Sequence, residues 1–539
     1  MMRDLDPGST NLPADLCAAI RAHRAQHDWN GRTIALGGHA WNLFPEEAAE
    51  RFISPSNNDC GTVRTPFLLE GLRDVVIDGQ GARLLVRGTP QAGRGRTGII
   101  DAPLVPFLLR DCRNVTIRNL TIDWATPGTC QGTCLAVDHA AGTCDVRLET
   151  TQRTWCWNSQ LYLEGEGWTW PVRRLLAADP ATGAILPGTG DNMGAGYDVA
   201  WTYESLGDQV VRIRGPASAR PQVGCTILFW CSNHDTGARR APAIFLERAE
   251  GVRLEDVTLH YCWAMGVIAQ DSSDLAFTRL VVEPSGQRRF SLAADGTHFV
   301  NCRGELRFEA CRFQNQFDDA INAHGLYHQV VRRCDAHSLR IRTLHPQHQG
   351  VTTYRSGDRV RLCRAPHLLP LAELTIASVS ALNSEMQDLR FAEALPEVIA
   401  SGDFVENLSA YPAITIRGCT FRWNRARGVL LNGNQPIRVE GNHFETPGSA
   451  ILVESSATWG ESGPISDLRI TGNTFTRCTT CPTWGAAVIQ ASPEFRCGEG
   501  VPADLPPFHG TVTLVDNAFR DCAAPAQRLE SCERIATSA

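Results

Sequence analysis

Asp295, Asp318 and Asp319 fall within one short stretch, SLAADGTHFVNCRGELRFEACRFQNQFDDAINAHG, and 23 residues separate Asp295 from Asp318. The same interval recurs elsewhere in the chain, from Leu254 to Phe277 and from Phe421 to Phe444. If one interval is one turn of a coiled sheet, Asp295 lies over Asp318, with backbones about 4.8 Å apart, the spacing of paired strands. Carboxylates this close repel and share protons, which drives their pKa values apart. A protonated carboxyl beside an ionised one is the equipment for hydrolysing a glycosidic bond. Carboxyls about 6.5–9.5 Å apart invert the anomeric centre and carboxyls about 5–5.5 Å apart retain it; the spacing along the chain permits both.

Other residues share this frame. His298, Asn301, Asn322 and His324 flank the aspartates, and Arg425 and Arg427 stand on a later turn, where a guanidinium tunes a carboxylate or binds a hydroxyl. Trp459 and Glu461 belong to a loop between strands, where function concentrates. An exposed Trp covers the apolar face of a sugar, and a Glu accepts from its hydroxyls. Trp263 and Met265 precede the strand before Asp295 and are candidates for a substrate wall. His234, Asp235 and Arg240 stand where the repeat resumes and are candidates for the lining. Cys478 and Cys481 are two residues apart but have no matching second pair, so no zinc site is expected, nor any other metal or cofactor.

The elements that must hold these residues are short strands. One type reads as alternating β-formers closed by Gly, Asp or Asn: NVTIRNLTID (114–123), GVRLEDVTLH (251–260), AITIRGCTF (413–421), IRVEGNHF (437–444). A second type lies between them: GVIAQ (266–270), THFVN (297–301), DAINA (319–323), GVLLN (428–432), AILVE (450–454) and AAVIQ (486–490). Two or three strands per 22–23 residues, with Asn and Gly at the bends, describe an all-β right-handed parallel β-helix. Phe444 to Phe475 is 31 residues, one turn plus a loop. Leu16 and Ile20, at helical spacing in 14–28, predict a short helix capping the open N-terminal end.

Two stretches lack the period, 129–225 and 338–408, and read as small antiparallel barrel-like domains that wall a cleft or mediate oligomerisation. The predicted organisation is therefore a cap and first turns (1–128), an inserted domain (129–225), central turns with the carboxylates (226–337), a second inserted domain (338–408), C-terminal turns (409–523) and a tail (524–539).

At 539 residues the chain exceeds one compact core unless it grows in one dimension. It contains no Lys, so its 51 basic residues are all Arg, which excludes a lysine base or Schiff base. The net charge of −7 and the lack of a basic run argue against nucleic acid as a partner. No apolar stretch reaches the ~18 residues of a membrane span, and the N-terminus has no signal-peptide pattern, so the expected location is cytoplasmic unless a signal has been removed. Among the 20 Cys, those at 112, 311, 419, 478 and 522 follow or end strands and read as small buried residues in a stack rather than as disulfides.

The chain resembles glycoside hydrolase family 110, the exo-acting α-1,3-galactosidases, over most of its length. VVIDGQG (75–81), NVTIRNLTIDW (114–124), HFVNC (298–302), QFDDAINAHG (316–325), NRARG (424–428), WGESG (459–463) and the two insertions carry the resemblance. It implies a right-handed β-helix with two β domains, release of terminal α-1,3-linked galactose with inversion, no metal, and Asp295, Asp318 and Asp319 as the catalytic carboxylates. The substrate would be an α-galactosyl-terminated oligosaccharide or glycoconjugate, and a homodimer is the simplest assembly. The three-Asp spacing is also similar to that of the polygalacturonases; by that analogy Asp318 is the acid, with Asp295 and Asp319 holding the water. Three other readings compete: a polygalacturonase-like hydrolase, a β-helix polysaccharide lyase, and a non-catalytic carbohydrate-binding β-helix.

Overall fold

A computed structural model describes residues 16–88, 103–197, 199–216, 218–231, 239, 242–495 and 504–538. Parallel strands one turn apart build two long sheets. The first runs from Thr33–Ala35 to Cys532–Ser538, and each turn adds a strand or a pair of strands to it. Its register follows the sequence period: Leu254 pairs with Phe277, Phe421 with Phe444 and Phe444 with Phe475. Stacked rings mark the seam, with Phe313, Phe421, Phe444, Phe475 and Phe519 at centroid spacings of 5.5, 4.7, 5.2 and 4.9 Å. At the bends, Asn442 donates to Asn473 and Asn473 to Asn517, so each amide satisfies the turn beside it.

The second sheet contains the other strand type in the expected order: Val267–Gln270, Thr297–Val300, Ile321–Arg333, Val429–Leu431, Ile451–Val453 and Ile489–Ala491. Apart from Gln490 and the end of Ile321–Arg333, the residues of these strands are buried.

The first insertion is an antiparallel six-stranded sheet, extended by a three-stranded one (Arg153–Trp157, Gln160–Gly165, Trp168–Pro171). It begins at Thr129 and ends at Trp230, because Thr226–Trp230 pairs on both sides inside it. The second insertion shares a strand with the helix. Ile321–Arg333 is one 13-residue strand, parallel to its helix neighbours at Ile321–Ala323 and antiparallel to the insertion from Tyr327 onward. The boundary predicted at 337/338 therefore cuts an insertion already begun. The predicted tail is also corrected: Gln527–Leu529 and Cys532–Ser538 pair in parallel with the preceding turn and form the last one.

The helix Leu16–Gln26 buries Leu16, Cys17, Ile20 and His23 against the first strands, as a cap would. No helix among the described residues is long and apolar enough to cross a membrane. No disulfide joins the described cysteines. Cys112, Cys311, Cys419, Cys478 and Cys522 share one local geometry, each thiol donating to the carbonyl two residues back at 3.4–3.6 Å.

Candidate active site

Register assembles the site. In the second sheet His298 pairs with Asn322, Asn322 with Leu430, Leu430 with Leu452 and Leu452 with Gln490. These five residues, one from each of five turns, all line a cavity of about 970 Å³. Strand residues alternate sides, so one register column presents one row of side chains to the outside.

The catalytic candidates sit where the chain enters these strands. Thr297 pairs with Ile321, 24 residues on, and Gly296 N–H donates to Asp319 O at 2.8 Å. Asp295 is therefore level with Asp319, not with Asp318 as the 23-residue interval predicts. The step from Thr297 to Ile321 is one residue longer than the 23-residue step from Leu254 to Phe277. Ile321 pairs in turn with Val429, which puts Arg427 level with Asp319. One column thus reads Asp295, Asp319, Arg427, while Asp318 occupies the preceding bend position. All three aspartates line the cavity.

Their partners differ. Arg427 donates to Asp319 from Nε and Nη2 at 2.9 Å each, and its backbone N–H adds a third bond at 3.2 Å. Asp318 has the Nη1 of Arg425 at 3.3 Å, and Arg425 is itself held by both oxygens of Asp191 at 2.8 and 3.0 Å. Asp295 has no guanidinium in hydrogen-bond reach among the described residues; its Oδ2 stands 2.9 Å from Nδ1 of His298. Burial, then the charge of Asp318, raises the Asp295 carboxyl well above the usual range. Burial raises Asp319 to about 7, against the pull of Arg427. Burial also lowers His298 to about 4, so its imidazole is neutral near pH 7.

The other predicted residues divide. Trp459 and Glu461 line the cavity with Arg425 and Arg427. Trp459 is 45% exposed and packs beside the ring of His345, a side chain suited to covering a sugar. Glu461 accepts from Asn57 Nδ2 at 2.7 Å. Met265 lines the cavity, but Trp263 does not. Trp263 is buried against Trp168, Trp170 and Tyr261, tying the first insertion to the helix, and is a core residue rather than a substrate wall. His324 stands behind His298 rather than in the lining. Asn301 is turned to Thr352 and Thr353. His234, Asp235 and Arg240 lie outside the described residues.

Sequence reasoning missed the walls. Arg174, Asp191, Tyr197 and Trp230 come from the first insertion, Trp484 from a loop of a later turn, His345 and Gln347 from the second insertion and Asn57 from the N-terminal turns. Glu454 is a further carboxylate, 3.7 Å from Nη1 of Arg427 and raised to about 8 by burial. Its signal was present: it ends AILVE, in the register column of Asn432 and His324. Among the described residues no group of three or more His, Cys, Asp or Glu is arranged to hold a metal ion.

The insertions match the family models GLAA-B beta-barrel domain I, over residues 130–227, and GLAA-B beta-barrel domain II, over residues 338–405. An alpha-1,3-galactosidase A of Shewanella woodyi is 28% identical over 504 residues, 93% of this chain and 78% of that protein. An alpha-1,3-galactosidase B of Bacteroides thetaiotaomicron is 26% identical over 91% of this chain and 77% of its own. One from Phocaeicola vulgatus is 29% identical over 97% and 86%. A tailspike protein of E. coli bacteriophage HK620 in complex with pentasaccharide covers 99% of this chain and 60% of its own at 10% identity and a TM-score of 0.37. The protein is a glycoside hydrolase built on a parallel β-helix. Within that class the chain resembles glycoside hydrolase family 110, the family of these alpha-1,3-galactosidases.

Proposed function

We propose that this protein is an exo-acting α-1,3-galactosidase that removes terminal galactose from an oligosaccharide or glycoconjugate with inversion, using Asp295, Asp318 and Asp319. One observation carries the assignment of roles: Asp318 and Asp319 each face a guanidinium, whereas Asp295 faces a neutral imidazole. A cation favours the ionised form of its neighbour. Asp318 and Asp319 are thus the pair that holds and deprotonates water, and Asp295 is the acid that protonates the departing oxygen. This exchanges the roles that the polygalacturonase analogy gives to Asp318 and Asp295. Water attacks the anomeric carbon from the base side as the bond to the aglycone oxygen breaks, and the Asp295 proton goes to that oxygen. A base raised to about 7 and an acid whose carboxyl is raised well above the usual range by burial are matched to this division of labour.

The lining favours a neutral sugar. Arg425 and Arg427 are already engaged by Asp191, Asp319 and Glu454. A uronate would meet six acidic residues of the lining, Asp191, Asp295, Asp318, Asp319, Glu454 and Glu461, against four arginines. That weighs against a polygalacturonase-like substrate. Incubation with Galα1-3Gal and its fucosylated form, followed by proton NMR, tests the proposal. β-Galactose is expected to appear first. Binding without release of galactose, or the α anomer first, overturns it.

A further inference from the structure

His324 Nδ1 is 2.7 Å from the carbonyl oxygen of Gly325, which only accepts, so Nδ1 carries a hydrogen. His324 Nε2 is 3.1 Å from His298 Nε2, and one of these two nitrogens must donate to the other. With both rings neutral, that hydrogen belongs to His298. Neutral His298 then has a bare Nδ1, and Nδ1 faces Asp295 Oδ2 at 2.9 Å. The bond is made only if Asp295 supplies the hydrogen.

Removing that proton leaves no good arrangement. If His298 keeps its hydrogen on Nε2, a carboxylate faces a bare Nδ1. If the hydrogen moves to Nδ1, two bare Nε2 atoms face each other. Both alternatives put lone pairs in contact at a buried place, where an unmade hydrogen bond costs most. The loaded state, with one proton shared along Asp295, His298 and His324, has every contact satisfied.

We propose that His298 and His324 are positioning residues that keep the general acid Asp295 loaded, with the orientation of the pair fixed by the Gly325 carbonyl. The inference rests on the reading of Asp295 as the acid of the proposed hydrolysis. After Asp295 gives its proton to the departing oxygen, the mismatch draws one proton back from water in the cavity, and the base releases one, so the enzyme returns to its starting charge. The surrounding charges act in the same direction on balance. Asp318 and Glu461 raise the proton affinity of Asp295, and Arg239 and Arg427 lower it. Glu461 and Asp318 raise that of His298, and Arg239 lowers it. Glu461 and Asp295 raise that of His324, and His298 lowers it; Glu461 Oε1 lies 3.6 Å from His324 Nε2. His348, whose ring centroid is 6.4 Å from that of His324, is turned away, its Nε2 bonded to Asn57 Oδ1 at 2.8 Å.

Two measurements test this. In ¹⁵N-histidine NMR of the intact wild-type protein near pH 7, His298 is expected to show a bare Nδ1 and a protonated Nε2, and His324 a protonated Nδ1. A His298 ring protonated on both nitrogens, or on Nδ1 alone, makes Asp295 the anion and overturns the proposal. The second measurement is the pH profile of kcat/KM on Galα1-3Gal for His324→Gln and Glu461→Gln. The amide introduced by His324→Gln donates to His298 Nε2 and lets His298 donate to the Asp295 carboxylate. Glu461→Gln removes a negative charge that raises Asp295. Both variants are expected to move the alkaline limb to lower pH by about one unit, a tenfold change in proton affinity. A fall in activity equal at every pH, with the limb unmoved, leaves these residues a structural role only and overturns the proposal. The NMR result does not depend on turnover, so failure of the proposed substrate and failure of this inference are told apart.

Discussion

At the scale of single residues, three chemically identical carboxylates are made different by what touches them. On the proposed roles Asp295→Asn removes the proton donor, and loss of a general acid costs about 10²–10⁴-fold in rate. The loss is expected in full on Galα1-3Gal and to be far smaller on an aryl galactoside, whose leaving group needs little protonation. Asp319→Asn removes the base and is expected to be severe on both substrates. Comparing kcat for the four enzyme–substrate pairs checks the assignment; equal losses for Asp295→Asn on both substrates refute it. The acid limb follows from the same geometry. Asp319 is raised to about 7, so activity falls as pH drops below about 7 and the base becomes protonated. Arg427 holds that value down. Arg427→Gln is therefore expected to move the acid limb to higher pH, and a limb that stays in place shows that the guanidinium does not tune the base.

At the scale of elements, the helix turns set the carboxylate column and the insertions supply the walls. Asp191 follows a strand of the first insertion, in a backbone where Asn192 and Met193 are left-handed with φ of 50° and 57°. Asn192 is held there by its side chain, which accepts from Leu175 N–H and Trp201 Nε1 and donates to the carbonyls of Gly196 and Tyr197. This turn carries Asp191 onto Arg425, with Trp484 Nε1 donating a third bond at 3.1 Å. Asp191→Ala leaves Arg425 with Asp318 as its remaining carboxylate partner among the described residues. The expected result is a 10–100-fold loss in kcat/KM, or about 1.4–2.8 kcal/mol, with Asp191→Ala/Arg425→Ala no worse than Arg425→Ala alone. Strict additivity in that cycle denies the coupling. This division also explains what was legible beforehand. The repeat revealed the strands, the aspartates and Arg427 because each turn must pair with the next, and pairing leaves a period. Asp191, Tyr197 and Trp230 lie in segments whose antiparallel pairings leave none. Trp263 was misread because a large apolar residue one turn from the site looks the same in sequence whether it faces sugar or another tryptophan. The aspartate register slipped by one because the turn that carries Asp295 advances by 24 residues, whereas the turn from Leu254 to Phe277 advances by 23.

At the scale of the whole molecule, the active site opposes the stability of the fold. A parallel β-helix is stabilised mainly turn against turn, so a cluster of buried charge on a few turns bears on those turns directly. Glu454 illustrates the effect. Its folded pKa is raised from 4.5 to about 8 by burial, so the folded chain binds its proton more tightly than the unfolded chain does. The stability contributed by that proton is fully present below pH 4.5 and is lost progressively as pH rises through about 8. Asp319, raised to about 7, acts with the same sign, and so does Asp295. Buried histidines oppose this on the acid side. His328 and His509 are lowered to about 3 and must charge on unfolding, so stability also falls as pH drops below their ordinary value of 6.5. Stability is thus expected to peak between these limits and to decline above neutrality. Glu454→Gln removes an ionisation without changing the shape of the side chain. It is expected to raise the unfolding midpoint at pH 8.5, where wild-type Glu454 must ionise against its surroundings, and to leave it unchanged at pH 4.5, where both side chains are neutral. Thermal denaturation of the two proteins at the two pH values decides the matter. An equal gain at both pH values assigns the effect to packing, and a loss at pH 8.5 means that the Arg427–Glu454 ion pair outweighs the cost of burying its carboxylate.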